Sequence, residues 1–180
     1  ESTGHDWWHT YRVCKTALRI ARKEKGANLF LVELIALLHD IADFKFHHGD
    51  DAIGAKSAVA WLKKFKLNQK ELDIIADGVK NISFKGAGVT NKPKSLEGLI
   101  VQDADRLDGI GAIGIARTFA YGGYMGRPIY SPDKDKVLHK TFNHYKKGSH
   151  SSVHHFYEKL LLLKDRMNTK TARKIALQRH

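Results

Sequence analysis

Residues 34–50 read LIALLHDIADFKFHHGD, in which a charged pair, His39 and Asp40, directly follows an apolar run. Burying an unpaired carboxylate is costly, so the pair needs a partner that neutralises it. The surrounding residues 29–42 are apolar on almost all sides, which is typical of a central helix buried by its neighbours. Asn28 is placed to cap this helix. The stretch therefore predicts a helical core with a charged site inside it.

The rest of the chain predicts further helices around this one. From His9 to Glu24, apolar residues recur at intervals of three and four, as on an amphipathic helix. Helices are also expected over residues 51–65 and 69–81, and from a cap at Ser95 to about Tyr121. Another begins within residues 151–168. Since the three prolines fall beyond the midpoint and no alternating run appears, we predict an all-α, compact single-domain helical bundle over residues 1–180.

Composition limits the possible partners. Hydrophobic residues make up 42% and charged residues 28% of the chain, which is ordinary for a soluble globular protein. Cys14 is the single cysteine, and there is no apolar run of about 18 residues or secretory signal, so a cytoplasmic protein without a membrane partner is expected. The net charge of +12 favours polyanionic ligands. No zinc-finger spacing and no aromatic-rich, base-stacking strand appears, so the charge alone does not predict a nucleic-acid binder, and the oligomeric state is left open.

Titratable residues lie within or beside three of the predicted helices. His9 begins the first, His39 and Asp40 lie in the second, and VQDADRLDGIG at residues 101–111 places three aspartates in the fifth. Any one of these groups is explained as a hydrogen-bonded core residue or an internal ion pair. Two imidazoles and two carboxylates that converge from three helices would instead suit a divalent transition metal. The sequence thus predicts a metal site between helices.

Three motifs in order, HTYRV, ALLHDIAD and DADRLDGIG, make the chain similar to the HD-domain metal-dependent phosphohydrolases, and closest to small stand-alone bacterial members. The resemblance implies that His9, His39, Asp40 and Asp105 bind the metal. It also implies a divalent ion, with manganese preferred and iron, cobalt, nickel, zinc or magnesium as alternatives. Helical phase, at about 100° per residue, instead places Asp103 on the apolar face of its helix. Asp103 is therefore an alternative ligand or a residue that supports the ligands.

Catalysis and substrate binding call for further residues. Asp43 follows His39 by four residues and Asp40 by three, so on a continuing helix it would share their side and could align an attacking water. The alternative is a solvent-facing last turn. Phosphate esters also need cations to hold them, although each candidate alone is explained as a surface residue. The preferred contacts are Lys45, His47, Lys85 and Arg127.

The resemblance implies a metal-dependent phosphohydrolase that acts on nucleotides through a metal-activated water. Cleavage of a nucleoside triphosphate to the monophosphate and pyrophosphate, and simple monophosphatase action, are both open. The alternative is a basic nucleotide-binding or nucleic-acid-binding module with a structural or vestigial metal site, suggested by the basic tail at residues 170–180. Hydrolysis of a signalling nucleotide has no support, because 180 residues leave no room for a regulatory or synthetase domain.

Overall fold

The computed structural model describes residues 6–42, 52–132 and 151–180, and every regular element in these ranges is a helix. The predicted all-α class is confirmed. None of these helices combines the length and hydrophobicity that a membrane span requires. The elements are α1 (Trp7–Ala21), α2 (Leu29–Leu38), α3 (Ile53–Leu62), α4 (Gln69–Asn81), α5 (Leu96–Asp108), α6 (Ala112–Tyr124), α7 (His154–Glu158), a 3-10 helix (Leu160–Arg166) and α8 (Lys170–Arg179).

Helix α5 lies at the centre of the fold. It packs against α1, α2, α4 and α8, and the residues buried along it lie on several of its sides. The core around it includes Ile35 of α2, Ile75 of α4, and Ile100 and Leu107 of α5 itself, all fully buried. Because α5 is covered on several sides, its apolar pattern does not identify a single inward face.

Side-chain caps fix where the site-bearing helices begin. The side chain of Asn28 accepts hydrogen bonds from the first amides of α2, and Ser95 Oγ accepts from the Gly98 amide at 3.0 Å, so both predicted caps are confirmed. Asp6 accepts from the amide of His9 at 2.8 Å. Helix α1 therefore begins two residues earlier than predicted, and His9 lies in its first turn.

The helix predicted over residues 95–121 is broken in two, so that prediction is wrong. Between α5 and α6, Gly111 adopts a φ of +82°, a left-handed conformation that favours glycine. A Cβ atom on Gly114 would lie 2.3 Å from the carbonyl oxygen of Gly109, so only glycine permits this close turn. The break allows Arg117 of α6 to reach the last residue of α5.

Helix α2 ends at Leu38, earlier than predicted. His39 and Asp40 therefore lie in the turn after the helix and not within it. His39 Nδ1 donates to the carbonyl of Ala36 at 2.7 Å, which provides a partner for one of the last carbonyls of α2. The helix predicted to carry this pair and Asp43 on one side ends before the pair, and Asp43 lies outside the described residues.

Candidate metal centre

Four side chains from the predicted ligand set converge at one point between α1, α2 and α5. The Nε2 atoms of His9 and His39 lie 3.3 Å apart. Asp40 Oδ2 is 3.4 Å from each of these nitrogens, and Asp105 Oδ1 is 3.5 Å from His9 Nε2. Ligand atoms of the two histidines and Asp105 all lie within 4.8 Å of one another. We call these four residues the ligand cluster.

Hydrogen bonds at the outer nitrogens fix which atoms of the two imidazoles face the cluster. The Ala36 carbonyl can only accept, so His39 Nδ1 carries a hydrogen and the Nε2 of the neutral ring is a bare acceptor. His9 Nδ1 similarly lies 2.7 Å from a carboxylate oxygen of Asp108. Both Nε2 lone pairs are therefore directed at the same small volume. Such a pair of acceptors needs a proton or a metal ion between them.

Asp108 holds His9 in place and is itself held by two arginines. Arg12 donates to it from Nε at 2.8 Å and from Nη2 at 3.0 Å, and Arg117 Nη1 donates at 2.8 Å. Burial alone would raise the pKa of Asp108, but hydrogen bonds from His9 and Arg12 and the charge of Arg117 hold this pKa well below its usual range. Asp108 therefore stays ionised and orients the His9 ring.

The carboxylates give the cluster a strong attraction for a cation. Burial alone would lower the pKa of His9, but hydrogen bonds with Asp108 and Asp40 and the nearby charge of Asp105 raise it to about 9. A metal ion would take the place of that proton, since a histidine ligand must be neutral. The end of α2 adds the partial negative charge of a helix C-terminus. Two imidazoles and two carboxylates thus fit a divalent transition metal.

Asp103 is directed elsewhere. Its Oδ1 accepts from the amide of Asn168 at 2.8 Å, and its Oδ2 accepts from the amide and hydroxyl of Thr169, each at 2.8 Å. Thr169 caps α8, so Asp103 anchors the start of that helix. Burial raises the pKa of Asp103, although these donors oppose the shift. The structure thus brings Asp105 to the ligand cluster and places Asp103 in a different set of contacts.

The predicted substrate contacts are not gathered at the cluster in the described part of the chain. The Arg127 guanidinium lies 5.5 Å from the centroid of the Tyr121 ring, in the loop after α6. Lys85 lines a separate pocket that the ligand cluster does not share. The remaining predicted residues, Asp43, Lys45 and His47, lie outside the described residues.

Sequence reasoning gave no role to Asp108 or to its two arginines. One signal was available, because Asp108 follows Asp105 by three residues and so lies on a neighbouring side of α5. The partners Arg12 and Arg117 are 96 and 9 residues away on α1 and α6. Helical periodicity cannot predict those contacts, because they form only when the three helices pack.

This arrangement of helices and side chains belongs to a known class. The HD domain family matches residues 7–110, a range that includes all four residues of the ligand cluster. The chain belongs to this family, whose members bind a divalent metal ion. By this membership it is an HD-superfamily hydrolase.

Three bacterial proteins are similar over almost all of the chain. YpgQ of Bacillus subtilis strain 168 is 40% identical across 100% of this chain and 80% of its own length. The crystal structure of YpgQ in complex with ADP has a TM-score of 0.74 at 38% identity, covering 100% of this chain and 84% of that one. A Lactobacillus plantarum structure has a TM-score of 0.86 at 38% identity, with coverages of 98% and 81%. An HD-superfamily hydrolase from Bacillus thuringiensis has a TM-score of 0.70 at 40% identity, with coverages of 100% and 81%.

Asp108→Asn is expected to weaken metal binding by about 10- to 100-fold, the usual effect of removing a partner that orients a metal-binding histidine. The amide keeps the shape of the side chain but removes the charge that fixes the His9 tautomer. Titration of the metal against a chelating indicator measures the affinity. Asp165→Asn, on a side chain that is 75% exposed, is the matched control and should bind metal like wild type. Equal affinities in the two variants would contradict an orienting role for Asp108.

Proposed function

We propose that the protein is a metal-dependent phosphohydrolase that acts on nucleotides. The observation that carries the proposal is the convergence of His9, His39, Asp40 and Asp105, with the outer nitrogen of each histidine already hydrogen-bonded. A divalent ion bound there would draw charge from a phosphoryl group and lower the pKa of a water molecule towards neutrality. Manganese is our preferred ion.

The two carboxylates are the more accessible members of the ligand cluster. Its histidines are buried, whereas the side chains of Asp40 and Asp105 are 16% and 22% exposed. A phosphate group would therefore approach past the two carboxylates. Lys45 and His47 follow the His39–Asp40 pair closely in the chain, and we propose them as phosphate contacts. Lys85 and Arg127 stay predictions in this role.

A nucleotide substrate is supported by two observations. YpgQ, a relative across the whole of this chain, has been crystallised with ADP. The net charge of +12 suits a polyanionic substrate. Among nucleotides we propose cleavage of a triphosphate to the monophosphate and pyrophosphate, with release of a single phosphate as the alternative.

Metal analysis followed by a product screen tests this proposal. The purified protein is assayed for bound metals and then incubated with nucleoside mono-, di- and triphosphates in the presence of Mn²⁺. Released phosphate is measured with and without added inorganic pyrophosphatase, which separates the two possible reactions. Turnover should be lost on chelation and restored by metal. Nucleotide binding with no phosphate or pyrophosphate released from any substrate would instead support a binding module.

Asp43→Asn is expected to lower kcat by about 10²- to 10⁴-fold if Asp43 positions the attacking water. KM should change little, since the lost interaction belongs mainly to the transition state. The measurement is steady-state turnover of the best nucleotide from the screen, with metal content determined in parallel. Asp73→Asn, an exposed change on α4, is the matched control. Full activity in a metal-loaded Asp43→Asn protein would exclude this role.

A further inference from the structure

A pocket of about 260 Å³ opens beside α5. It is formed by the loop after α4 together with residues of α5 and of the segment before α8, and none of the ligand cluster lines it. Four cationic side chains face this pocket, and the described residues that line it include no aspartate or glutamate. We call it the basic pocket, and its cations are Lys85, Lys92, Arg106 and Arg166.

Side-chain amides hold the walls of the basic pocket in place. Asn91 donates to the carbonyls of Asn81 and Ser83 at 3.0 and 2.8 Å. Gln102 of α5 donates to the carbonyls of Asn81 and Asn91, each at 2.8 Å, and accepts from Asn168 at 3.0 Å. These bonds tie the loop to α5. The pocket is therefore shaped before any ligand arrives, which reduces the entropic cost of binding.

The two arginines are oriented by backbone carbonyls. Arg106 Nη1 donates to the carbonyl of Arg166, whose own Nη2 donates to the carbonyl of Ala87. The Arg166 guanidinium also lies 5.2 Å from the centroid of the Phe84 ring. Each guanidinium is thus held in one direction while it retains further N–H groups. Fixed guanidinium groups suit paired hydrogen bonds to a carboxylate or phosphate.

One N–H group of the two arginines, Arg106 and Arg166, lacks an acceptor in the described part of the chain. Arg106 Nε is buried and has no hydrogen-bond partner among the described residues. Buried polar groups are nearly always paired, so an orphaned donor on a charged side chain calls for an explanation. An anion in the basic pocket would reduce the repulsion among the four cationic side chains that line it.

We propose that the basic pocket binds a phosphate-type tetrahedral oxyanion, either free phosphate or pyrophosphate, or the phosphate group of a nucleotide. The site goes beyond the proposed hydrolase activity, because it requires neither the ligand cluster nor a metal. Arg106 directly follows Asp105 on α5, and consecutive helical residues project about 100° apart. The oxyanion site and the ligand cluster therefore lie on neighbouring sides of the same helix.

Calorimetric titration of metal-free protein tests the basic pocket apart from the metal centre. Phosphate, pyrophosphate, ADP and adenosine are titrated separately, and the oxyanions are then competed against one another. Pyrophosphate should bind and adenosine should not. Arg166→Gln should weaken pyrophosphate binding by about 10-fold or more, as expected for a lost charge-assisted hydrogen bond. Lys94→Gln is the control, because this exposed lysine carries the same charge two residues from Lys92 but does not line the pocket.

A second variant keeps the test decisive if Arg166→Gln fails to fold. Lys85→Gln combined with Lys92→Gln alters side chains of the loop and should weaken pyrophosphate binding in the same direction. Loss of ADP affinity in parallel would assign the site to nucleotide phosphates, whereas an unchanged ADP affinity would assign it to free phosphate or pyrophosphate. The proposal is overturned if no oxyanion binds wild type. It is equally overturned if the pocket variants bind pyrophosphate as Lys94→Gln does.

Discussion

His39→Ala and Asp40→Ala are each expected to leave the protein without bound metal and without turnover. Removal of His39 takes one of the two Nε2 acceptors from the ligand cluster and leaves the Ala36 carbonyl without its donor. Removal of Asp40 takes away the carboxylate that lies 3.4 Å from both nitrogens. Either change removes one of the four proposed ligands, and with it part of the nitrogen donation or negative charge that favours a divalent ion at this point.

The readouts are metal content, thermal unfolding and steady-state turnover. An ion that binds only the folded state raises the unfolding midpoint, and this increase should disappear in both variants. His180→Ala and Asp73→Ala, at exposed positions, are the matched controls and should retain the response to metal. A wild-type metal content in both His39→Ala and Asp40→Ala would show that the ion binds elsewhere.

Local signals in the sequence predicted where several helices begin. Asn28 and Ser95 each cap the helix that follows, because a short polar side chain satisfies amides only a few residues away. Helix α4, predicted over residues 69–81, has those bounds in the structure. Such features depend on neighbours along the chain, so they can be read without knowledge of the tertiary fold.

The turn between α5 and α6 could not be predicted in this way. A glycine within an apolar helical pattern costs only about 1 kcal/mol relative to alanine, so the pattern alone does not require a break. The decisive contact is the approach of Gly114 to the backbone of Gly109, which forms only in the folded turn. The same turn brings Arg117 to Asp108, the residue that orients His9 in the candidate metal centre.

The choice between Asp103 and Asp105 likewise depends on contacts that the sequence pattern does not contain. The ordered motifs selected Asp105, whereas helical phase favoured Asp103. Helical phase identifies an inward direction but not the neighbour that is faced, because α5 is covered by several helices. The donors that satisfy Asp103 lie 65 and 66 residues further along the chain, at Asn168 and Thr169. Residue periodicity cannot predict contacts over that separation in the chain.

Asp105→Asn should empty the metal centre, whereas Asp103→Asn should retain the metal and destabilise the fold. An amide at position 105 cannot supply the negative charge that faces the two histidines. At position 103 every contact of the buried carboxylate is to a donor, so an NH₂ group there must face an N–H or hydroxyl. An unsatisfied buried group of this kind costs about 1–3 kcal/mol. Each kcal/mol lowers Tm by about 2–4 °C in a chain of this size.

Metal content and thermal unfolding in metal-free buffer, measured on both variants, separate the two roles. Asp105→Asn should lose the metal while its metal-free Tm stays close to that of wild type, since Asp105 is partly exposed. Asp103→Asn should show the lower metal-free Tm together with a full complement of metal. The reverse pattern, with metal lost only from Asp103→Asn, would mean that the ion binds on the side of α5 that faces α8. Helical phase would then have been the better guide to the ligand, and the contacts of Asp103 with Asn168 and Thr169 would have to open when the ion binds.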